Sequence, residues 1–251
     1  MSWIRFEGLV ARMTNVKPVR LKSRRTVASI SFDDFPKSAW EVGGKILARY
    51  NAHATYYTAG GFCGQTTENW VCYEEGDLRA LAAAGHEIAC HSFSHEKTPT
   101  LSNAALAADS ARNAQFLAPF LGARKLESYA YPYGATSVRV KKFFASRFSN
   151  IRGVNAGINT GRVDLSQLKA VSLSPSGISK ENLDRIIADA RADKGWICFY
   201  SHDVAENPTR YGTTPAILEE VLRRLMEANI EVLPMREAFS AMFAPKVVTA
   251  A

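Results

Sequence analysis

Apolar runs that end in polar or titratable residues recur along this chain, each separated from the next by a stretch of helical spacing. This alternation restricts the fold more than any other feature. Residues 27–32, 53–58, 86–91, 129–133, 151–154, 171–173, 196–200 and 231–234 are rich in β-branched and aromatic side chains and read as strands. Residues 38–50, 77–84, 103–121, 138–148, 180–192 and 216–228 carry helical patterns; Gly85 stops the second, and Thr214 with Pro215 opens the last. Seven or eight strands at intervals of about 20 to 40 residues, most with a helix between them, predict an α/β fold of the (β/α) barrel kind and not a sandwich. Such barrels keep their chemistry on the loops that follow strands. The longest irregular stretches here are 60–75, 95–102 and 155–169.

A length of 251 residues with 47% apolar and 22% charged side chains suits one such barrel, and no repeat or linker divides it. The net charge of +7 suggests a polyanionic partner until it is located along the chain. Arg5, Arg12, Lys17, Arg20, Lys22, Arg24 and Arg25 stand against Glu7 alone in the first 25 residues, a local +6 that leaves the rest nearly neutral. A neutral body offers no nucleic-acid groove, so no nucleic-acid partner is expected. The chain therefore reads as a basic N-terminal extension, 1–25, lying in solvent, followed by one globular domain, 26–251. No apolar run approaches the roughly 18 residues of a transmembrane helix, and the first residues lack the apolar core of a signal peptide, so a cytoplasmic location is expected. Cys63, Cys72, Cys90 and Cys198 contain no Cys-x-x-Cys pair and are expected to be reduced; only Cys63 and Cys72, in a Gly-rich loop, have a spacing that would permit a bridge.

Five places carry unusual chemistry, and all fall at or near strand ends. The strand 27–32 closes on Asp33-Asp34, where the turning backbone lets both carboxylates reach one site, one to hold a metal and the other to take a proton from water; the alternative is a helix cap before Pro36. His91 and His95, four apart just beyond the strand 86–91, offer two imidazoles on one turn. With Asp34 they form a set of two nitrogens and one carboxylate oxygen that leaves a coordination position open, as a hydrolytic metal site requires. Tyr131-Pro132-Tyr133-Gly134 ends a strand in a tight turn able to expose a backbone amide to an oxyanion, or packs as an ordinary strand exit. His202 closes the apolar strand 196–200 through Ser201, a position suited to an acid that protonates a leaving amine. Arg152 stands in an apolar strand, either to brace a carboxylate or to point into solvent. Trp40, Trp70 and Tyr211 are candidates to stack on a sugar face or to pack in the core.

Taken in chain order, Ser31-Phe32-Asp33-Asp34, His91-Ser92-Phe93-Ser94-His95, Tyr131-Pro132-Tyr133-Gly134 and Ser201-His202-Asp203 resemble the motifs of the polysaccharide deacetylases, carbohydrate esterase family 4, also called the NodB homology family. The resemblance spans about residues 26–234. It implies a distorted (β/α) barrel of about seven strands, with Asp33 as general base, Asp34, His91 and His95 as ligands of one divalent ion, zinc most often, the Tyr133 amide in the oxyanion hole and His202 as general acid. Two positions depart from the pattern. The family's arginine that braces the catalytic Asp is replaced by Ala130, with Arg152 on the next strand as substitute, and the glycine that often follows the Asp pair is Phe35, which is expected to alter the floor of the groove. Asp164 is the candidate for the family's carboxylate that orients the acid histidine.

The resemblance implies a metal-dependent deacetylase that removes the N-acetyl group of an amino sugar in an oligo- or polysaccharide and releases acetate, so the expected partner is a carbohydrate. Two alternatives stay open because of Ala130 and Phe35: a related hydrolase of a small non-sugar amide, as in allantoinase-like members of the wider superfamily, and a sugar-binding relative that has lost efficient catalysis.

Overall fold

The computed structural model of the chain describes residues 3–23 and 25–243; Arg24, counted in the leader's charge, and the last eight residues of the domain lie outside them. In chain order the elements are α1 (Trp3–Met13), β1 (Pro18–Arg20), β2 (Val27–Asp33), α2 (Lys45–Arg49), β3 (Thr55–Thr58), α3 (Glu75–Ala83), β4 (Glu87–Cys90), α4 (Asn103–Leu121), β5 (Ser128–Ala130), α5 (Val138–Ala145), β6 (Asn150–Arg152), β7 (Arg162–Asp164), β8 (Val171–Ser172), α6 (Lys180–Asp193), β9 (Trp196–Ser201), α7 (Pro215–Glu227), β10 (Glu231–Val232) and α8 (Met235–Phe243).

Seven parallel strands form one curled sheet in the order β6-β5-β4-β3-β2-β9-β8, and β10 adds to the lower half of β2. This is the expected distorted (β/α) barrel. Its two ends are linked by the segment before β8, where Leu168 pairs with Arg152 and the Ala170 amide donates to the Asn155 carbonyl. Every residue of β2 is buried, because β9 flanks it along its length while helices and the barrel interior cover its faces. Outside the sheet, Ile46, Leu47, Leu218, Leu222 and Ile187 pack α2, α6 and α7 against Ile30 and Phe32. At the lower end, the buried Glu87 carboxylate accepts from Ser128 Oγ (2.7 Å), Thr55 Oγ1 (2.8 Å) and the Arg236 amide (2.9 Å), which seats the N-terminus of α8 across the barrel floor.

Two local expectations are corrected. The segment 38–50 is not one α-helix: Ala39–Gly44 forms a widened π turn before α2. In this turn the Trp40 ring lies against Gly44, where a Cβ would meet it at 2.5 Å, so the packing requires glycine there. The stretch 155–169 is not wholly irregular, because it contains β7, whose partner is β1.

That antiparallel pair also corrects the picture of a solvated leader. The basic first 25 residues supply α1, packed on α5, and β1, so most of the leader lies on the body. The anchor is a buried charged node. Lys141 Nζ donates to the carbonyls of Ala11 (2.8 Å) and Thr14 (2.7 Å), which caps the end of α1, and pairs with Asp164 at 2.8 Å. Asp164 in turn accepts from the amides of Val16, Lys17 and Ser166. Burial opposes ionisation of Asp164, but Lys141 and these donors outweigh it and hold the carboxyl below its usual range. A depressed carboxylate stabilises the fold at pH values above its unfolded range and stops doing so as pH falls through the folded value. Asp164→Asn is therefore expected to cost about 1–3 kcal/mol at neutral pH and progressively less in acid. Unfolding midpoints of the two proteins that stay equally far apart into strong acid would exclude this role.

Candidate active site

The cleft opens at the upper end of the barrel, where β2, β4, β5 and β9 terminate, and has a volume of about 960 Å³. Backbone strain marks its rim. Asp34 (φ 61°), Phe35 (53°), Ser92 (63°), His95 (53°) and Tyr133 (58°) are all left-handed without being glycine. Each such turn reverses the pleat at a strand end, and this is how the adjacent Asp33 and Asp34 both come to line one cleft.

Asp34, His91 and His95 converge, with one ligand atom from each lying within 4.8 Å of the others. Asp34 Oδ1 stands 2.9 Å from His95 Nε2 and 3.3 Å from His91 Nε2, and all three residues are buried. The Nδ1 of His91 donates to the Ala130 carbonyl at 2.8 Å, which leaves its Nε2 as a lone pair aimed at Asp34. With that tautomer, the His91 lone pair faces the buried Asp34 Oδ1, which has no hydrogen-bond partner. A divalent cation resolves the repulsion, so these residues fit a metal. Burial lowers His95 below the ordinary imidazole range, which favours the neutral ring that a ligand must present.

The histidine loop is held by α4. Asp109 accepts from the Phe93 and Ser94 amides, each at 2.9 Å, and from Ser94 Oγ at 2.6 Å. One turn later Asn113 accepts from the Gly60 amide and donates to the Thr58 carbonyl, which ties the loops after β3 and β4 to one helix face. Cys90, the neighbour of His91, takes a hydrogen bond from Asn113 and is a core thiol. All four cysteines are free, as expected of reduced thiols.

Asp33 is buried and its carboxylate is met by Arg152, which also donates to the Gly153 carbonyl at 3.0 Å. The guanidinium lies between the rings of Tyr57 and Tyr200, 5.0 and 4.9 Å from their centroids. Burial works against the charge on Asp33, but Arg152 and the neighbouring imidazoles outweigh it and keep the carboxyl low. Arg152 is the in-register neighbour of Ala130, so the arginine sits one strand over from the position where the motif has it and crosses the barrel interior to the same carboxylate. Of the two readings of Arg152, brace or solvent charge, the structure shows the brace.

His202 lines the same cleft. Its Nδ1 is 3.3 Å from the Tyr211 carbonyl, and the rings of Trp70 and Tyr211 stand 5.5 and 5.4 Å away. Tyr133 occupies a left-handed turn on the same cleft, its ring 4.5 Å from that of His95. Asp164 does not support His202, a correction to the expectation: it is committed to Lys141 and the leader, and a backbone carbonyl faces the imidazole instead. Phe35 is not on the floor of the groove either; it is fully buried, stacked 4.8 Å from Tyr73. Trp40 belongs to the core, edge-on to His86, whereas Trp70 and Tyr211 line the cleft.

Sequence reasoning did not single out Asp109, Asn113, Tyr57, Tyr200, Lys97 or Arg210. The first two carried a signal, polar residues four apart on one face of α4, and the tyrosines stand inward on strands beside the aspartate strand. Lys97 and Arg210 lie in irregular loops, where spacing predicts no direction.

The profile of the family described as polysaccharide deacetylase matches residues 20–146. No curated protein matches the chain in sequence. Among solved structures, a family 4 acetyl xylan esterase from Clostridium thermocellum in complex with a cobalt ion superimposes with a TM-score of 0.60 at 20% identity, over 86% of this chain and 91% of that one. A family 4 carbohydrate esterase from Streptomyces lividans in complex with acetate gives 0.57 at 20% identity, over 84% and 92%. A CE4 family pseudoenzyme from Bacillus anthracis gives 0.57 at 10% identity, over 91% and 70%. At these identities the likeness speaks for the fold.

Proposed function

We propose that this chain, which belongs to the polysaccharide deacetylase family, is a metal-dependent hydrolase that removes the N-acetyl group from an amino sugar of an oligo- or polysaccharide. The observation that carries the reading is the convergence of Asp34, His91 and His95 beside a separate carboxylate, Asp33, that Arg152 keeps ionised. Asp34, His91 and His95 would hold one divalent ion, zinc being our choice; the cobalt ion of the Clostridium thermocellum relative supports a metal there. When bound, that ion supplies Lewis acidity toward the acetamide oxygen and lowers the pKa of a coordinated water.

The chain's own residues supply the rest. Asp33 takes a proton from the attacking water, and its pairing with Arg152 keeps it unprotonated through the neutral range. The Tyr133 amide, presented by a left-handed turn at the rim, donates to the oxyanion that develops on the acetamide. His202 gives a proton to the departing amine, with the Tyr211 carbonyl fixing which ring nitrogen bears the other hydrogen. Trp70 and Tyr211 flank His202 and offer faces on which a pyranose ring can stack.

The size of the cleft favours this reading over the small-amide alternative. Pockets for small ligands measure roughly 300–1,000 Å³, so a cleft of about 960 Å³ stands at the roomy end of that range, as a saccharide substrate requires. The test is acetate release from a series of N-acetylglucosamine oligomers, by chelated protein and by protein refilled with zinc, cobalt or nickel. Release restored by metal is expected. Release from small non-sugar amides alone would overturn the saccharide assignment, and binding of oligomers with no acetate from metal-loaded protein would mean that catalysis has been lost.

His202→Ala is expected to lower turnover about 10²–10⁴-fold while metal content stays unchanged. An external amine acid such as imidazole should restore part of the rate. A variant that retained its full rate would remove His202 from the chemistry.

A further inference from the structure

The N-terminal helix is unusual for a surface element. Trp3, Phe6, Leu9, Val10 and Met13 are all exposed, from 40% at Val10 to 81% at Met13, and together they make up five of the nine large apolar side chains exposed among the described residues. At 100° per residue these five cover one contiguous arc of about 120°, whereas Ile4, Gly8 and the buried Ala11 face the body. This is the reverse of a helix that exists to complete a core. The arc is not a frayed end, because Lys141 caps the helix from within the protein and Asp164 holds the chain that follows.

Charge borders the apolar arc on both sides, with the acid Glu7 beyond Trp3 on one margin and two arginines on the other. Arg5 and Arg12 lie between it and the body, and with Lys97 they line a second cavity of about 520 Å³ that no carboxylate enters. That cavity shares Lys97, Tyr133 and Gly134 with the catalytic cleft. An apolar arc with cationic residues at its margin is the arrangement of a helix that lies in the plane of a lipid headgroup layer. A second copy of the chain fits less well, since Arg5, Arg12 and Lys97 outnumber the single acid, Glu7, at the margins of the face.

We propose that α1 seats the protein on an anionic phospholipid surface, with Trp3, Phe6, Val10 and Met13 in the acyl boundary and lipid phosphates at Arg5, Arg12 and Lys97, so that the mouth of the cleft lies at headgroup level. No helix among the described residues is long and apolar enough to cross a membrane, and a helix lying in the headgroup layer by itself attaches reversibly.

Co-sedimentation of the full chain with vesicles of phosphatidylcholine alone, and of phosphatidylcholine mixed with phosphatidylglycerol, tests this. Binding is expected to the mixed vesicles only and to weaken with salt. Phe6→Glu with Val10→Glu should weaken it about ten-fold or more, and Arg5→Glu with Arg12→Glu should abolish the preference for the anionic lipid. Because Phe6 and Val10 are exposed, the first variant should unfold at the parent's temperature and release acetate from a soluble oligomer at the parent's rate. Binding and hydrolysis are thereby read apart. Failure to sediment with either vesicle, or binding unchanged by the Phe6→Glu pair, would overturn the proposal, as would a dimer that the same pair converts to monomer while vesicle binding is absent.

Discussion

Replacing Asp33 by Asn is expected to reduce acetate release by about 10²–10⁴-fold while the protein still takes up one metal ion, because the amide cannot accept a proton and Asp34, His91 and His95 are untouched. The neighbouring substitution Asp34→Asn separates the two roles, since it should lose metal first and activity as a consequence. The pH profile carries a second expectation. Burial pushes Asp33 toward protonation and Arg152 overrides that push, so the acid limb of the rate should lie below the ordinary carboxylate range. Arg152→Gln weakens the pairing, raises the carboxyl and should move that limb to higher pH. Asp33→Asn protein that turns over within ten-fold of the parent, or an acid limb that stays put in Arg152→Gln, would show that another group takes the proton.

Removing Arg152 altogether should produce the largest loss of stability of any single change at the site. Its guanidinium and the Asp33 carboxylate are buried together, with side chains 1% and 6% exposed. Arg152→Ala strands a carboxylate in the barrel interior, and breaking such a pair costs about 3–5 kcal/mol, a fall in unfolding midpoint of roughly 6–20 °C for a chain of this size. Adding Ala130→Arg to that variant places a guanidinium on the adjacent strand at the same level of the sheet, so part of the stability and activity should return. A midpoint for Arg152→Ala within 2 °C of the parent, or about 1 kcal/mol or less, would mean that the pair contributes little to the fold.

The residues around Asp33 show what could be read from the chain and what could not. The motif positions were legible because each lies beside the end of a buried strand, where a titratable side chain after an apolar run has few structural explanations: Asp33, Asp34, His91 and His202 are all of this kind. Arg152 was visible as an anomaly within a strand, but its partner lies 119 positions earlier, and no local pattern links β6 to β2 across the barrel. Asp164 fails in the opposite direction. It was the candidate to orient His202, but its partners are Lys141 and the backbone of the leader, which the sequence had suggested was solvated.

The leader illustrates the reason most directly. Its composition, seven basic residues against one acid, is a property of the sequence, and it was read as charge in solvent. Whether a segment is solvated depends on whether some distant surface offers its backbone hydrogen bonds and its apolar side chains a contact, and here β7 and Lys141 offer both. The sequence by itself determined the order of the sheet strands and of the helices between them, because periodicity is local, and it singled out Asp34, His91 and His95, because two imidazoles and a carboxylate at strand ends are a chemical signature at any register. Only the tertiary structure decided which arginine meets Asp33, what faces His202 and which surface of α1 stays uncovered. Those outcomes turn on the closing of a curled sheet that brings residues more than a hundred positions apart within hydrogen-bonding reach.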